Sequence, residues 1–187
     1  MGGEIHIDSS VLELCRKGDS RAFRVLVEQL KEPAYYQALA LLGNHDDALD
    51  ISQEAFVKTW QSMRSFDSSR PFYPWYYTIL KRLALNALRT RGRRYEVPAD
   101  GLEWEEPLNH ADMEEARQAD RTAAVINRVM AKLTVDDREI ISLKDVQGYA
   151  YKDIAIILAI PTGTVMSRLY TARARFRKLL QETAYDQ

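Results

Sequence analysis

The stretch Tyr151 to Leu180, YKDIAIILAIPTGTVMSRLYTARARFRKLL, decides how the rest of the chain is read. Ile154, Ala155 and Leu158 recur at helical spacing in a first short helix. Ile160-Pro161-Thr162-Gly163 is then a break, because proline removes an amide donor and clashes with the turn before it. Thr162 is a candidate N-cap for a second helix. Along that helix Val165, Leu169, Ala172, Phe176 and Leu179 fall on one apolar stripe that must face a domain interior. The pattern predicts a helix-turn-helix.

The opposite face of the second helix is the informative one. Met166, Ser167, Tyr170 and Thr171 point away from the stripe near the N-terminal end, the end that enters a major groove in this motif, and are candidates for base-edge contacts. Arg168, Arg173, Arg175, Arg177 and Lys178 flank or follow them, with no acidic residue between Asp153 and Glu182. Cations so placed neutralise phosphates and fix register. A basic face can also be merely solvated, but a tight first helix, a Pro/Gly turn and a basic second helix together favour DNA binding.

Working outward, the net charge of −1 over 187 residues conceals a segregation. Between Ser68 and Tyr95 stand Arg70, Lys81, Arg82, Arg89, Arg91, Arg93 and Arg94 without a carboxylate. From Glu96 to Asp120 the balance inverts, with only Arg117 among the acids, and Pro98, Gly101 and Pro107 interrupt any periodicity. This reads as a linker between two basic modules.

The N-terminal half is read as helical throughout. Ser10 and Glu13 stand at capping-box spacing and open a first helix, which Gly18-Asp19 ends. Phe23, Leu26, Val27 and Leu30 mark a second, Pro33 opens a third running to Leu42, and Gly43-Asn44 is a C-cap pair. Asp46 or Asp47 caps the next helix, whose apolar positions Ala48, Ile51, Ala55, Phe56 and Trp60 leave Asp47, Asp50, Gln53, Glu54 and Lys58 outside. That mostly acidic face is a solvated surface or a docking surface for a basic partner.

Residues 66–77 then crowd six rings into twelve positions: Phe66, Phe72, Tyr73, Trp75, Tyr76 and Tyr77. Phe72, Trp75 or Tyr76, Ile79 and Leu83 have the spacing of a buried helical stripe. Rings interleaved with Arg70, Lys81 and Arg82 also suit a nucleic-acid strand, whose bases stack on aromatic faces. After about Ala116 helical pattern returns with Val125 or Ile126, Val129, Met130 and Leu133. Asp136-Asp137 caps a helix carrying Ile140, Ile141, Leu143 and Val146, and Gly148 ends it.

Three pieces in this order resemble one family. Asp46-Asp47-Ala48-Leu49-Asp50-Ile51-Ser52-Gln53-Glu54-Ala55-Phe56 is similar to the D-A-x-D-x-x-Q-E-x-F helix of bacterial sigma factors. Phe72-x-x-Trp75 with its basic continuation resembles their promoter-melting segment, and Gly163-Thr164-Val165-Met166-Ser167-Arg168 the start of their recognition helix. The length is that of the extracytoplasmic-function (ECF) group.

The resemblance implies an all-α chain of two small helical domains: region 2 over 8–95, an acidic linker over 96–120 and region 4 over 121–184. It implies that Asp47, Asp50, Gln53 and Glu54 face the β′ clamp helices of core RNA polymerase, with the β flap a further contact. Phe66, Ser68, Arg70, Phe72, Trp75, Lys81, Arg82, Asn86 and Arg89 would serve the −10 element, a base flipped from the non-template strand sitting in the Ser65–Phe72 loop. Thr164, Met166, Ser167, Arg168, Tyr170, Thr171, Arg173 and Arg175 would serve the −35 element. The acidic linker would thread through the polymerase toward its active-site and RNA-exit channels. An anti-sigma factor would mask these surfaces, and the free chain would be a monomer. Leu49, Lys81-Arg82, Asn86, Thr134 and Thr171 depart from residues frequent in the family, and those at Arg82, Asn86 and Thr171 bear on promoter sequence.

Other classes fit less well. His6, His45 and His110 are isolated, no Cys/His cluster has ligand spacing, and no Gly-rich phosphate loop occurs, so neither an enzyme, a metal site nor a cofactor is expected. The lone Cys15 suits a reducing compartment, and with no signal peptide or membrane span expected the location is cytoplasmic. The alternative is a helix-turn-helix regulator that binds duplex DNA outside the polymerase. If it had a signal receiver, strands should alternate with helices in the first half, and they do not.

Overall fold

The computed structural model describes residues 7–94 and 124–185. The acidic linker lies outside the described residues, as do the side chains of Arg91, Arg93 and Arg94. Helices make up the regular structure: α1 (Ser9–Arg16), α2 (Ser20–Leu42), α3 (His45–Ser62) and α4 (Phe72–Arg94) in the first part. The second part has α5 (124–131), α6 (Val135–Ile141), α7 (Tyr151–Leu158) and α8 (Thr162–Tyr185).

Helix α2 is the spine. It runs unbroken through Pro33, where two helices are predicted. A proline inside a helix costs about 3 kcal/mol. Leu26 and Leu30 before it, and Ala34, Ala38 and Leu41 after it, are fully buried on the same side. Each buried leucine contributes about 1.5–3 kcal/mol, so burial on both sides of the proline outweighs the lost bond. α1, α3 and α4 pack around this spine. Gly43 ends it in the left-handed conformation at φ 73°, as the Gly43-Asn44 pair predicts, and its amide returns to Leu39 O.

Several caps lie one to three residues upstream of their predicted positions. Asp8, not Ser10, caps α1 by accepting from the Ser10 amide, and Asn44 caps α3 by accepting from the Asp47 amide. Thr134 takes the same role on α6, leaving Asp136 and Asp137 in the first turn, where their charges favour the helix dipole. In α8 the Pro161 carbonyl accepts from Thr164 and Val165, which makes Thr162 the first helical residue. In each case a short polar side chain or a carbonyl just upstream reaches the free amides first.

The α4 stripe also differs from expectation. The fully buried positions are Tyr76, Leu80 and Ala84, flanked by Phe72, Tyr73 and Tyr77, while Ile79 and Leu83 are half-buried. α4 is covered on two sides, by α2 and α3 on one and by α7 on the other, so its buried face is wider than a single stripe.

The second part follows the helix-turn-helix pattern. Val165, Leu169 and Ala172 of α8 are buried, with Phe176 and Leu179 half-buried below them. Gly148, at φ 75°, closes the segment before α7. The chain leaves α6 through a wide turn over Ser142–Val146, of the π type. The two parts are in direct contact: α6 and the Ser142–Val146 turn lie on α2, and α7 lies on α4.

Candidate nucleic-acid and partner interfaces

On α3, Asp50, Gln53, Glu54 and Lys58 are exposed and Asp47 half-buried. Ala48, Ala55 and Phe56 hold the opposite side in the core, and Phe56 stacks on Tyr76 of α4 at 5.2 Å. The acidic residues therefore share one solvent face, the prerequisite for binding a basic partner. Leu49, Val57 and Trp60 are exposed apolar residues on the same helix, and Trp60 leans on Phe23 at 4.9 Å.

The loop into α4 is a built turn. Asp67 accepts from the Ser69 amide and hydroxyl at 3.0 and 2.7 Å and pairs with Arg70 at 3.3 Å. The Ser69 donors hold the Asp67 carboxyl below the usual aspartate range. Arg16 of α1 reaches across to Ser68 Oγ at 3.2 Å. Ser68 and Arg70 are exposed, whereas Phe66 and Phe72 are buried and meet edge to face at 5.2 Å. Those two rings anchor the loop and present no free face. Trp75 is half-buried, resting on Phe66 at 5.0 Å and Phe72 at 5.6 Å, and of the three it retains the most open surface.

Beyond Trp75, Arg82, Asn86 and Arg89 are exposed and Lys81 half-buried on one side of α4. Together with Tyr77 and Thr78 they form one wall of a cleft of about 340 Å³ whose other wall is Ile157 and Leu158 of α7 and Ala159, which follows it. A second cleft of about 320 Å³ lies between the Ser68–Pro74 segment and Tyr149, Asp153, Ile156 and Ile157. Lys81 Nζ is 2.6 Å from the Glu139 carboxylate, which also accepts from the Tyr77 hydroxyl. Burial, then the Glu139 charge, pushes the Tyr77 phenol well above its ordinary range.

At the other end, Met166, Ser167, Arg168, Tyr170 and Thr171 are exposed on the outer face of α8, Tyr170 at 73%. The Ser167 and Thr171 hydroxyls donate to the carbonyls of Thr164 and Ser167 at 3.1 and 3.0 Å, leaving their oxygens free to accept. Thr164 is half-buried. Arg173 pairs with Asp145, and Arg175 with the buried Asp137 at 2.7 Å, so both tie α8 to its own domain while part of each stays in water. Thr134, Asp136, Ser167, Arg168 and Thr171 line a groove along this face.

Sequence reasoning does not single out Gln37, Arg138 and Glu139, and reads Tyr77 only as one ring of an aromatic stretch. Two acidic or basic residues inside an α6 pattern read as solvent-facing, yet Arg138 is 2% and Glu139 3% exposed. Their partners are about a hundred residues away for Arg138 and some sixty for Glu139, a distance over which local pattern carries no signal.

Among the described residues the regular structure is helical, with an exposed acidic face on α3, a cationic side on α4 and a polar and basic outer face on α8. Known proteins supply the class. Sigma-70 region 2 matches residues 26–94, and Sigma-70, region 4 matches 124–176. The RNA polymerase sigma-H factor of Pseudomonas aeruginosa is 33% identical over 182 residues, covering 93% of this chain and 94% of its own. The ECF RNA polymerase sigma-E factor of Escherichia coli K12 is 32% identical over 182 residues, covering 89% and 90%. Among solved structures, the sigma factor RpoE of Bartonella quintana, bound to the anti-sigma factor NepR, superposes with a TM-score of 0.66 at 25% identity over 85% of this chain and 96% of that one. CnrH in complex with the cytosolic domain of CnrY gives 0.63 at 28% identity over 94% and 97%. The chain belongs to the sigma-70 family and is an RNA polymerase sigma factor of the ECF group. A regulator acting outside the polymerase is not favoured, since the first half is accounted for by region 2.

Proposed function

We propose that this chain binds core RNA polymerase through Asp47, Asp50, Gln53 and Glu54, reads a −35 element with α8 and nucleates strand separation at a −10 element with the Ser65–Phe72 loop and α4. Residues 8–95 form the first functional unit, 96–120 the connection and 121–184 the second. Trp75 supplies the stacking surface, Phe66 and Phe72 position it, and Ser68, Arg70, Lys81, Arg82, Asn86 and Arg89 meet backbone and bases. In α8, Thr164, Met166, Ser167, Arg168, Tyr170 and Thr171 read or anchor the duplex, with Arg173 and Arg175 near the phosphates.

The observation that carries this reading is the division of surfaces: an exposed acidic face on α3, a cationic face on α4 beside a supported tryptophan, and a bare recognition face on α8. Melting a base pair costs a few kcal/mol per flipped base, and stacking on a ring can return a comparable amount without chemistry by the protein. The chain therefore acts as a non-enzymatic initiation factor. Among the described residues no single helix is long and apolar enough to cross a membrane. A role beside the polymerase supports a cytoplasmic location. The anti-sigma complex of the Bartonella protein supports a similar partner here.

Run-off transcription by core polymerase on a pooled library of randomised promoters tests the proposal. Enrichment of two elements at −35/−10 spacing, dependent on this protein, is expected. Duplex binding by the chain without any protein-dependent transcript would overturn it.

A further inference from the structure

One guanidinium ties the exposed part of the Ser65–Phe72 loop to the helix beside it. Leu12 and Cys15 hold α1 in the core, and Arg16, next along, lies in its last turn. Its Nη1 donates to Glu13 Oε1 at 2.9 Å on its own helix and to Ser68 Oγ at 3.2 Å in the loop. The Arg16 side chain is 34% exposed, and its Nε is sealed from water without an acceptor. A solvated pair one turn apart on a helix would leave that nitrogen wet, so the side chain is packed down and not merely paired with Glu13. Phe66 and Phe72 bury the two ends of the loop, and residues 67–71 between them are exposed. Among the described residues, the bond from Arg16 is the one hydrogen bond joining a side chain of that span to another element.

That bond decides what Ser68 can do. A hydroxyl has one proton to donate and lone pairs with which to accept. Ser65 donates its proton to Ser62 O at 2.7 Å and Ser69 donates to Asp67 Oδ1 at 2.7 Å, so both are engaged locally. Ser68 instead accepts from Arg16, and its proton has no acceptor among the described residues. Asp67 is an acceptor already filled, Oδ1 by the Ser69 amide and hydroxyl and Oδ2 by Arg70 Nε at 3.3 Å. What the loop offers outward is therefore a set of donors: the Ser68 O–H and the terminal nitrogens of Arg70, whose side chain is 79% exposed.

We infer that Arg16 is a positioning residue for the loop: it holds Ser68 as a donor beside Arg70, so that the loop selects a base presenting acceptors there. The inference rests on the proposed role of the loop at the −10 element. Arg16 acts on the strand through Ser68 and not by contact of its own. Bases differ in where they carry acceptors, and a donor set against donors leaves both sides unsatisfied. Without Arg16 the hydroxyl turns freely and accepts as readily as it donates.

The test uses core polymerase carrying the full chain to capture single-stranded oligonucleotides randomised over a short window, the captured pool then being sequenced. Wild type should enrich particular bases at several positions. Arg16→Met keeps the aliphatic length and removes the donors; it should lower preference at one position by roughly three- to tenfold and leave the others and the affinity for core polymerase unchanged. Arg16→Lys, which keeps a donor on a stem of similar length, should restore part of that preference. Ser68→Ala should lose preference at the same position, and adding Arg16→Met to it should have no further effect. A merely structural Arg16 would weaken every position alike. That uniform loss, unchanged preference in Arg16→Met, or full additivity with Ser68→Ala would overturn the inference. If Arg16→Met fails to fold, Ser68→Ala decides, since Ser68 is exposed and an unaltered preference there removes the link. A wild-type chain that enriches nothing and supports no transcription overturns the reading of the loop itself, whereas enrichment shared by wild type and Arg16→Met overturns the role of Arg16 alone.

Discussion

Arg138, in the second domain, completes the hydrogen bonding of Ala40, in the last turn of α2 in the first. Nearly a hundred residues separate them, and the guanidinium is buried at 2% exposure with its Nε 2.8 Å from the Ala40 oxygen. The same group also reaches Leu133 O of its own domain at 3.5 Å, so it serves both halves at once. A planar fork with five donors can do this; an ammonium cannot.

Replacing Arg138 by alanine should therefore destabilise the chain by about 2–3 kcal/mol, the scale for charge-assisted hydrogen bonds to groups left buried. Arg138→Lys should recover less than half of that. Urea unfolding of the full chain measures both, and equal stability of Arg138→Lys and wild type would contradict the bidentate role.

Trp75→Ala should leave affinity for core polymerase unchanged and lower open-complex formation. The magnitude expected for one lost stacking surface is about 1–3 kcal/mol. Permanganate reactivity of unpaired thymines, set beside a polymerase pull-down, separates the two. Equal losses in both assays would count against a melting role.

Charge reversal on the proposed docking face, Asp50→Lys with Glu54→Lys, should weaken polymerase binding at least tenfold. Both residues are exposed, so the thermal midpoint should move little, surface changes being worth about 0.5 kcal/mol or less. Unaltered polymerase affinity would leave α3 as a solvated face only.

For α8, Arg168→Ala distinguishes anchoring from reading. If Arg168 contacts phosphate, affinity for −35 duplex should fall for all sequences alike and the salt dependence of binding should flatten by about one ion. If it contacts a base edge, preference at one position should relax instead.

Alkaline pH provides a check on the core. Burial, helped by the Asp19 charge, pushes the Cys15 thiol from 9.0 up to about 11. Tyr73 and Tyr77 are raised in the same direction, again chiefly by burial. These groups are neutral in the fold and ionise first in the unfolded chain, which then holds fewer protons. The Cys15 contribution is complete below pH 9 and is lost as pH rises toward 11, and that of the two tyrosines begins to fall only above pH 10. Denaturation midpoints at fixed urea should decline over that interval, and a disulfide reagent should modify Cys15 at pH 8 no faster than the chain unfolds.

Much of this architecture can be read from residue pattern because it is local. The stripe Val165, Leu169 and Ala172, the Gly148 stop and the outward acids of α3 each follow from spacing within a turn or two. Pro33 misleads because a local penalty is decided by burial contributed by other helices. The two-sided covering of α4 and the burial of Arg138 and Glu139 arise only when the domains meet, and no periodicity within α6 announces them. Phe66 and Phe72 show the converse: aromatic density is visible in sequence, but which ring stays available to a base depends on how the loop seats.

An ion pair withdrawn from water, with Glu139 at 4% and Lys81 at 33% side-chain exposure, is little screened by added salt. Nucleic acid competing for Lys81 loses affinity steeply with the same salt, because its counterions must be released against a higher background. On the proposed role of α4 at the promoter, each rise in dissolved ions moves Lys81 from nucleic acid toward the protein's own carboxylate.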